Sequence, residues 1–351
     1  MRILFVDDKV DGHHNKYLSG IIERQSYNFV LIASSKFEKI ECKQYITGLW
    51  PSKNPIKYLF FLLFVAYVAR KEKVDLIHFL TLDTFIRYGG FGFCFLNKYK
   101  KTGSLHKVRT DIKHIIGIRL LSTKLKTIVV HSKFLSNQLN QIRVYNTKVI
   151  NYPSFHSCLM DKAGARMFFG FANSYPILLC IGATRYDKGL DILLSSLQKI
   201  KMNYNLFIAG QEDYFNSEFI QNCTRNIKNK IIILKELSDQ EYNCAIRATD
   251  FVIIPYRNVF NGASGPLCDG VFDGKIIIGT DKNNIGFLIS NYHLGYVFES
   301  ENSQSLSKTI ELALTNSFKK DKEYTFYQKT LSPETFNFEY NHLFLKNYEN
   351  S

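Results

Sequence analysis

The stretch "DFVIIPYRNVFNGASGPLCDGVFDGKIIIGTD", Asp250 to Asp281, decides the fold. It opens on an apolar run, passes through a loop and the small-residue turn Gly262-Ala263-Ser264-Gly265, continues as a short helix and closes on a second apolar run. Short runs without polar alternation read as strands covered on both faces, and a helix between two of them reads as the crossover of a parallel sheet. The turn matters as much as the strands. Small residues let a ligand approach the backbone, and the helix behind them offers free N–H groups and a positive dipole end, which suits a diphosphate. Asn261 and Asp269 stand eight positions apart across this turn.

The same alternation extends in both directions. "PILLCIGA", "NLFIAG" and "KIIIL" begin at Pro176, Asn205 and Lys230. The helical stretches Leu190–Ile200 and Ser238–Ala248 lie between strands, the second opening on Ser238 and Glu241 at capping-box spacing. In the first half, Arg2–Val6, Phe29–Ser34, Val74–Leu80, Thr127–Ser132 and Lys148–Pro153 read as strands. The expectation is α/β, with two doubly wound, Rossmann-like domains facing a cleft. The expected boundaries are 1–153 for a first Rossmann-like domain, 154–175 for a linker, 176–320 for a second Rossmann-like domain, and 321–351 for a C-terminal helix that packs back on the first domain.

Length and composition agree with two packed cores, since 351 residues with 46% hydrophobic content exceed one ordinary domain. The net charge of +14 belongs wholly to the first half: residues 1–150 hold 25 Lys/Arg against 10 Asp/Glu, and residues 151–351 hold 20 against 21. Such asymmetry points to an anionic surface or ligand met by one domain. Seven scattered cysteines without metal-ligand spacing read as reduced thiols, and the opening "RILFV" reads as a strand rather than a secretory leader, so the expected location is cytoplasmic. "YLFFLLFVAYVA", Tyr58 to Ala69, is uncharged and too short to span a bilayer, which takes about 20 apolar residues. With Lys and Arg at both ends it reads as a core helix or as part of an interfacial one, and "FIRYGGFGFCFLNKYKK", Phe85 to Lys101, repeats the mixture of aromatics and cations. No aromatic–basic nucleic-acid module is present, so no nucleic-acid partner is expected.

Chemistry concentrates where strands end in glycine. "GATRYDKGLDILL" places Gly182 at a strand end with Arg185 and Lys188 at its mouth, and Gly210 ends the next strand. Cations from one loop and amides from another form a phosphate clamp. In order and spacing, "IGATRYDKGLDILLSSL", "LFIAGQED", "ATDFVIIPY" and the stretch quoted first resemble the C-terminal domain of the retaining, group 1 (family-4-like) glycosyltransferases of GT-B fold, and "TIVVHSKFLSNQL" resembles the last part of that family's N-terminal domain. The resemblance covers most of the chain and is strongest over residues 176–298.

The resemblance implies a nucleotide-diphosphate sugar donor, no metal ion and retention at the anomeric carbon. It carries diphosphate contact to Lys188, with Arg185 standing in for an arginine that the family places at Ala183. The donor seat it implies comprises Gly182, Gly210, Gly262, Ala263, Ser264 and Gly265. Asn261 and Asp269 fall on the family's two glutamates, giving Asp269 the donor ribose and Asn261 the donor sugar without a charge. Gly12 and His13 fall loosely on its glycine loop, and His106 on a strand-end histidine near the transferred sugar; His13 or His14 serves similarly. The catalytic set is therefore His106, Asn261 and Lys188, whereas His78 and His131 read as core histidines. The expected acceptor is a glycan, lipid-linked, in bacterial surface-polysaccharide (O-antigen or capsule) synthesis, with the protein peripheral on the inner face of the cell membrane. The rival reading, motivated by Asn261 and Ala183, is a non-catalytic GT-B protein acting as a membrane-associated binding partner.

Overall fold

The computed structural model describes residues 1–7, 13–23, 25, 27–38, 40–50, 54–109, 111–260 and 262–349, with His13 and His14 described by backbone alone. The chain divides into two compact units, residues 1–152 with 333–351, and residues 153–332. Residues 154–175, read above as a linker, fold into the second unit and contain a helix. Of the C-terminal helices, only the last belongs to the first unit.

The first unit holds β1 (Arg2–Val6), α1 (His13–Ile22), β2 (Asn28–Ala33), β3 (Lys43–Ile46), α2 (Pro55–Lys71), β4 (Leu76–Phe79), β5 (Lys100–Leu105), α3 (Ile112–Ser122), β6 (Thr127–Val130), α4 (Lys133–Gln141) and β7 (Thr147–Val149). The strands form one parallel sheet in the order β3-β2-β1-β4-β5-β6-β7. Asn54 caps α2 through its side chain, with Pro55 in the first turn where its missing N–H costs nothing. Tyr58, Phe61, Leu62 and Val65 of α2 then pack on Leu4, Val30, Ile77 and Phe79 of the sheet.

β5 and β3 lie outside the apolar runs, for different reasons. β3 is a short edge strand, half-buried. β5 is central yet polar, because its buried hydroxyls serve a hydrogen-bonded network. Thr102 Oγ1 lies 2.8 Å from His78 Nδ1, and Ser104 Oγ lies 3.3 Å from His78 Nε2 and 2.8 Å from the Tyr340 hydroxyl. His131 Nδ1 donates to the Ile150 carbonyl at 2.9 Å, so its Nε2 accepts from the Tyr17 hydroxyl at 3.0 Å. Burial, reinforced by the nearby His106, pushes both His78 and His131 down to about 3.

The second unit holds α5 (Lys162–Phe168), β8 (Ile177–Ile181), α6 (Leu190–Leu197), β9 (Asn205–Ala209), α7 (Ser217–Cys223), β10 (Lys230–Ile233), α8 (Asp239–Ala248), β11 (Phe251–Ile254), α9 (Gly265–Phe272), β12 (Ile276–Thr280), α10 (Asn283–Asn291), β13 (Gly295–Phe298), α11 (Ser303–Thr315) and α12 (Lys322–Thr330). Its parallel sheet runs β10-β9-β8-β11-β12-β13. The capping box at α8 is present, Ser238 and Glu241 each satisfying the other's backbone N–H. α13 (Pro333–Glu349) returns to the first unit, where Tyr340 reaches the Tyr17 hydroxyl and Phe344 packs edge-on against Phe5.

A histidine held neutral when folded and protonated near 6.5 when unfolded binds fewer protons in the native state over that interval. The stability contributed by His78 and His131 is therefore full above pH 6.5 and lost as pH falls towards 3. Urea midpoints measured across this range are expected to fall on acidification, and His78→Gln, which can pair with the same hydroxyls without titrating, is expected to flatten the slope.

Candidate active site

In each sheet the winding direction reverses beside the first strand, and a crevice opens at the carboxyl ends of the two strands where it does so. In the second unit these strands are β8 and β11. Their following loops carry the motifs singled out in the sequence, and side-chain and backbone contacts fasten the loops together. Gly189 adopts φ +63°, and a Cβ there would lie 2.0 Å from the Pro255 carbonyl oxygen, so only glycine allows this approach. Arg257 donates from its backbone N–H to the Asp187 carbonyl (3.0 Å) and from Nε to the Tyr186 carbonyl (3.1 Å). Its guanidinium lies 4.1 Å over the Tyr186 ring and reaches Asp191.

Lys188 projects from the first loop into the second. Its ammonium sits 3.8 Å from the centre of the Tyr256 ring and 4.3 Å from that of Phe260. Among the described residues no carboxylate pairs with it. Ring faces attract a cation without neutralising its charge, so Lys188 is held in place and still able to meet an anion. The Tyr256 hydroxyl lies 3.3 Å from Ser264 Oγ, which caps α9 by accepting from the Leu267 N–H at 3.4 Å. The backbone N–H groups of Gly262, Ala263, Ser264 and Gly265 donate to no described residue. An uncompensated ammonium beside orphan amides at a helix start makes a seat for an anion.

Asp269 lies one turn into α9 and is buried. Its Oδ1 accepts from Ser154 Oγ (2.7 Å) and the Phe155 N–H (3.2 Å), and its Oδ2 from the Tyr242 hydroxyl (2.8 Å). Burial raises its pKa against these hydrogen bonds, which favour the ionised form. Oδ2 also lies 3.8 Å from where a Cβ at Gly265 would stand, which places the carboxylate beside the turn. One Oδ2 lone pair remains for a hydroxyl donor.

The other residues expected at the site fall as follows. Gly182 has φ +123° and faces open space at the end of β8. Gly210 packs on Gly182, a Cβ there meeting the Gly182 carbonyl oxygen at 2.2 Å, so its lack of a side chain is a packing requirement. Arg185 is exposed and makes a two-pronged pair with Asp187. That pair raises its pKa and occupies the guanidinium. His106 belongs to the first unit, at the end of β5; its Nε2 donates to the Leu80 carbonyl at 2.9 Å, which leaves Nδ1 as the acceptor in the neutral ring. It packs at 5.7 Å from Tyr17 and 5.0 Å from His131, ring centre to ring centre. Gly12 and Asn261 lie outside the described residues, and His13 opens α1 with its side chain not described. Sequence reading missed Ser154, Tyr242, Tyr256 and Phe260, which hold Asp269 and Lys188. Tyr256 ends a recognised strand and Phe260 falls four residues on, a spacing that carries no chemistry by itself.

Two doubly wound parallel sheets of seven and six strands, with the switch-point crevice of the second at β8 and β11, make the GT-B architecture. The known proteins agree. Residues 163–330 match the family model described as glycosyl transferases group 1. An uncharacterized glycosyltransferase from Methanocaldococcus jannaschii is 22% identical over 209 residues, covering 60% of this chain and 55% of that protein. The match thus spans about half the length of this relative. Among solved structures, a glycosyltransferase from Rickettsia africae superposes with a TM-score of 0.79 at 16% identity, covering 100% of this chain and 99% of that one. HepE from Anabaena, in complex with UDP, gives 0.79 at 15% identity, covering 99% and 100%. The sucrose-phosphate synthase of Thermosynechococcus elongatus gives 0.74 at 13% identity, covering 100% of both chains. The group 1 glycosyl transferase match thus falls within residues 163–330, and the chain as a whole has the GT-B fold of the superposed structures.

Gly189→Ala is expected to combine a left-handed backbone penalty with a clash, costing about 2 kcal/mol or more. Urea denaturation checks the loss. Separation of the two loops also displaces Lys188 from its ring pair, so anion affinity at the site is expected to fall in the variant that remains folded.

Proposed function

We propose that the protein moves a hexose-type sugar from a nucleotide-diphosphate donor to an acceptor hydroxyl. The observation that carries this reading is the Lys188 ammonium, held by two aromatic rings, beside the N–H groups of residues 262–265, with no carboxylate on the one and no acceptor for the others among the described residues. An anion with two adjacent phosphates suits both at once, and HepE, a fold relative, has been solved with UDP-glucose. The Asp269 carboxylate, fixed by Ser154 and Tyr242, takes a donor ribose hydroxyl with its remaining lone pair.

In the transfer, the bond from the anomeric carbon to the β-phosphate oxygen breaks and the acceptor oxygen bonds to that carbon. Charge grows on the leaving diphosphate, where Lys188 and the amides stabilise it more than in the ground state. The leaving phosphate takes the acceptor proton on the same face of the sugar, so configuration is retained. The family resemblance assigns His106 to the transferred sugar, and Asn261 puts an amide where the family has a carboxylate. On this reading the site's cations belong to the protein and no metal ion is needed. The acceptor is a lipid-linked glycan of bacterial surface-polysaccharide synthesis, and the protein works at the cytoplasmic face of the membrane.

Lys188→Ala is expected to weaken binding of nucleoside diphosphates by roughly 10- to 100-fold, the worth of a charge-assisted contact, while leaving the free protein folded. Titration calorimetry against a panel of nucleoside diphosphates checks this; unchanged affinity sinks the clamp. In a transfer assay, Asn261→Glu is expected to abolish turnover where the amide reads the donor sugar. Faster turnover by that variant would instead assign Asn261 to a lost acid.

A further inference from the structure

We propose that the first unit docks on an anionic lipid bilayer through one continuous face built by α2, the turns at residues 86–96 and α3. The inference deepens the acceptor reading, yet it stands on surface residues of the first unit alone.

α2 is apolar on all sides but covered on only one. Tyr58, Phe61, Leu62, Val65 and Val68 face the sheet, whereas Ile56, Phe60, Leu63 and Tyr67 recur at spacings of four, three and four and lie exposed. Phe60 is 56% and Ile56 64% exposed, values unusual for side chains of this size. α3 repeats the pattern, with Ile118 and Leu121 buried and Ile112 (75%), Ile116 and Leu120 exposed. The intervening turns add Phe91 (68%) and Phe95.

These elements are joined side by side. The Tyr58 hydroxyl of α2 donates to the Phe91 carbonyl at 2.8 Å, and the Tyr58 and Tyr88 rings stack at 4.1 Å. On the other side, a Cβ at Gly89 would touch the Leu120 side chain at 3.1 Å, and a Cβ at Gly117 would meet the Ile86 carbonyl oxygen at 2.2 Å. The exposed apolar side chains therefore form one patch rather than isolated spots, and such a patch marks an interaction surface.

Charge selects the partner. Residues 54–126 hold fourteen Lys/Arg against four Asp/Glu. All four acids are engaged: Glu72 by Arg2 and Lys43, Asp75 by the Arg2 N–H, Asp83 by the N–H groups of His106 and Lys107, and Asp111 as the α3 cap. Lys57, Arg87, Lys113 and Arg119 are exposed on these same elements, and Lys98 and Lys124 two residues beyond the turns and α3. A second copy would bring this basic rim against itself, whereas acidic head groups complement it. No helix of the described residues is long and apolar enough to cross a membrane, so the face lies in the interface, with its side chains among the acyl-chain ends.

Vesicle co-sedimentation of the full chain tests this without any sugar donor, so its failure is separable from failure of the donor reading. The protein is expected to sediment with vesicles of phosphatidylglycerol and phosphatidylcholine, to be released by high salt, and to stay free of phosphatidylcholine alone. Phe60→Ser with Phe91→Ser is expected to reduce binding at least about tenfold, in line with the loss of two inserted rings. Lys113→Glu with Arg119→Glu is expected to lose the preference for acidic lipid, and Leu159→Ser, an exposed position of the second unit, to bind as the wild type. Wild-type protein that leaves acidic vesicles unbound would overturn the proposal. Unchanged binding by both double variants, or a dimer in solution that Phe60→Ser with Phe91→Ser converts to monomer, would do the same.

Discussion

The approach of Gly189 to the Pro255 carbonyl holds the second unit's site together. Two loops leave neighbouring strands at the point where the sheet reverses its winding, and without a contact between them each would be an independent surface loop. A side chain at position 189 would force them apart. With none there, Lys188 reaches across to Tyr256 and Phe260, and Tyr256 in turn reaches the cap of α9. The cation and the helix start are thereby set in one place by backbone packing rather than by the ligand. Preorganisation of this kind lets charged groups act on developing charge without first having to rearrange.

The ring pair also explains how a half-buried lysine remains useful. A carboxylate partner would hold it more strongly but would cancel the charge, as Asp187 does for Arg185, three residues before Lys188. The contrast between these neighbouring cations is local. Arg185 points into a two-pronged pair at the surface, whereas the Lys188 ammonium meets aromatic faces and, among the described residues, no carboxylate. Asp269 shows the complementary arrangement: burial disfavours its charge, and Ser154, Phe155 and Tyr242 direct both oxygens while restoring part of the lost hydration.

Both sheets were legible where strands are buried on both faces, since Ile, Val and Leu then run without alternation, as in β8, β9 and β11. β5 was not, because its Thr102 and Ser104 hydroxyls pair with His78 and Tyr340, residues distant in sequence. The glycine punctuation and Lys188 were legible because strand ends and helix starts have local signatures. The partners that fix them were not, since Tyr256, Tyr242 and Ser154 resemble any strand-end, helix or loop residue until the chain folds. Gly210 was legible as special, but its reason is packing on Gly182. The domain edges were hardest to read: α5 and α12 stay with the second unit while α13 crosses to the first, a choice made by tertiary contacts such as Tyr340 with Tyr17.

The central claim is that the second unit seats a diphosphate by its own cation and amides. Thermal unfolding in the presence of a metal chelator tests it most directly, comparing a nucleoside with the matching nucleoside diphosphate, because a ligand of the folded state raises the melting temperature. The diphosphate is expected to raise it with the chelator present, and the bare nucleoside to leave it almost unchanged. Equal shifts from both, or a diphosphate shift that the chelator abolishes, would contradict the account.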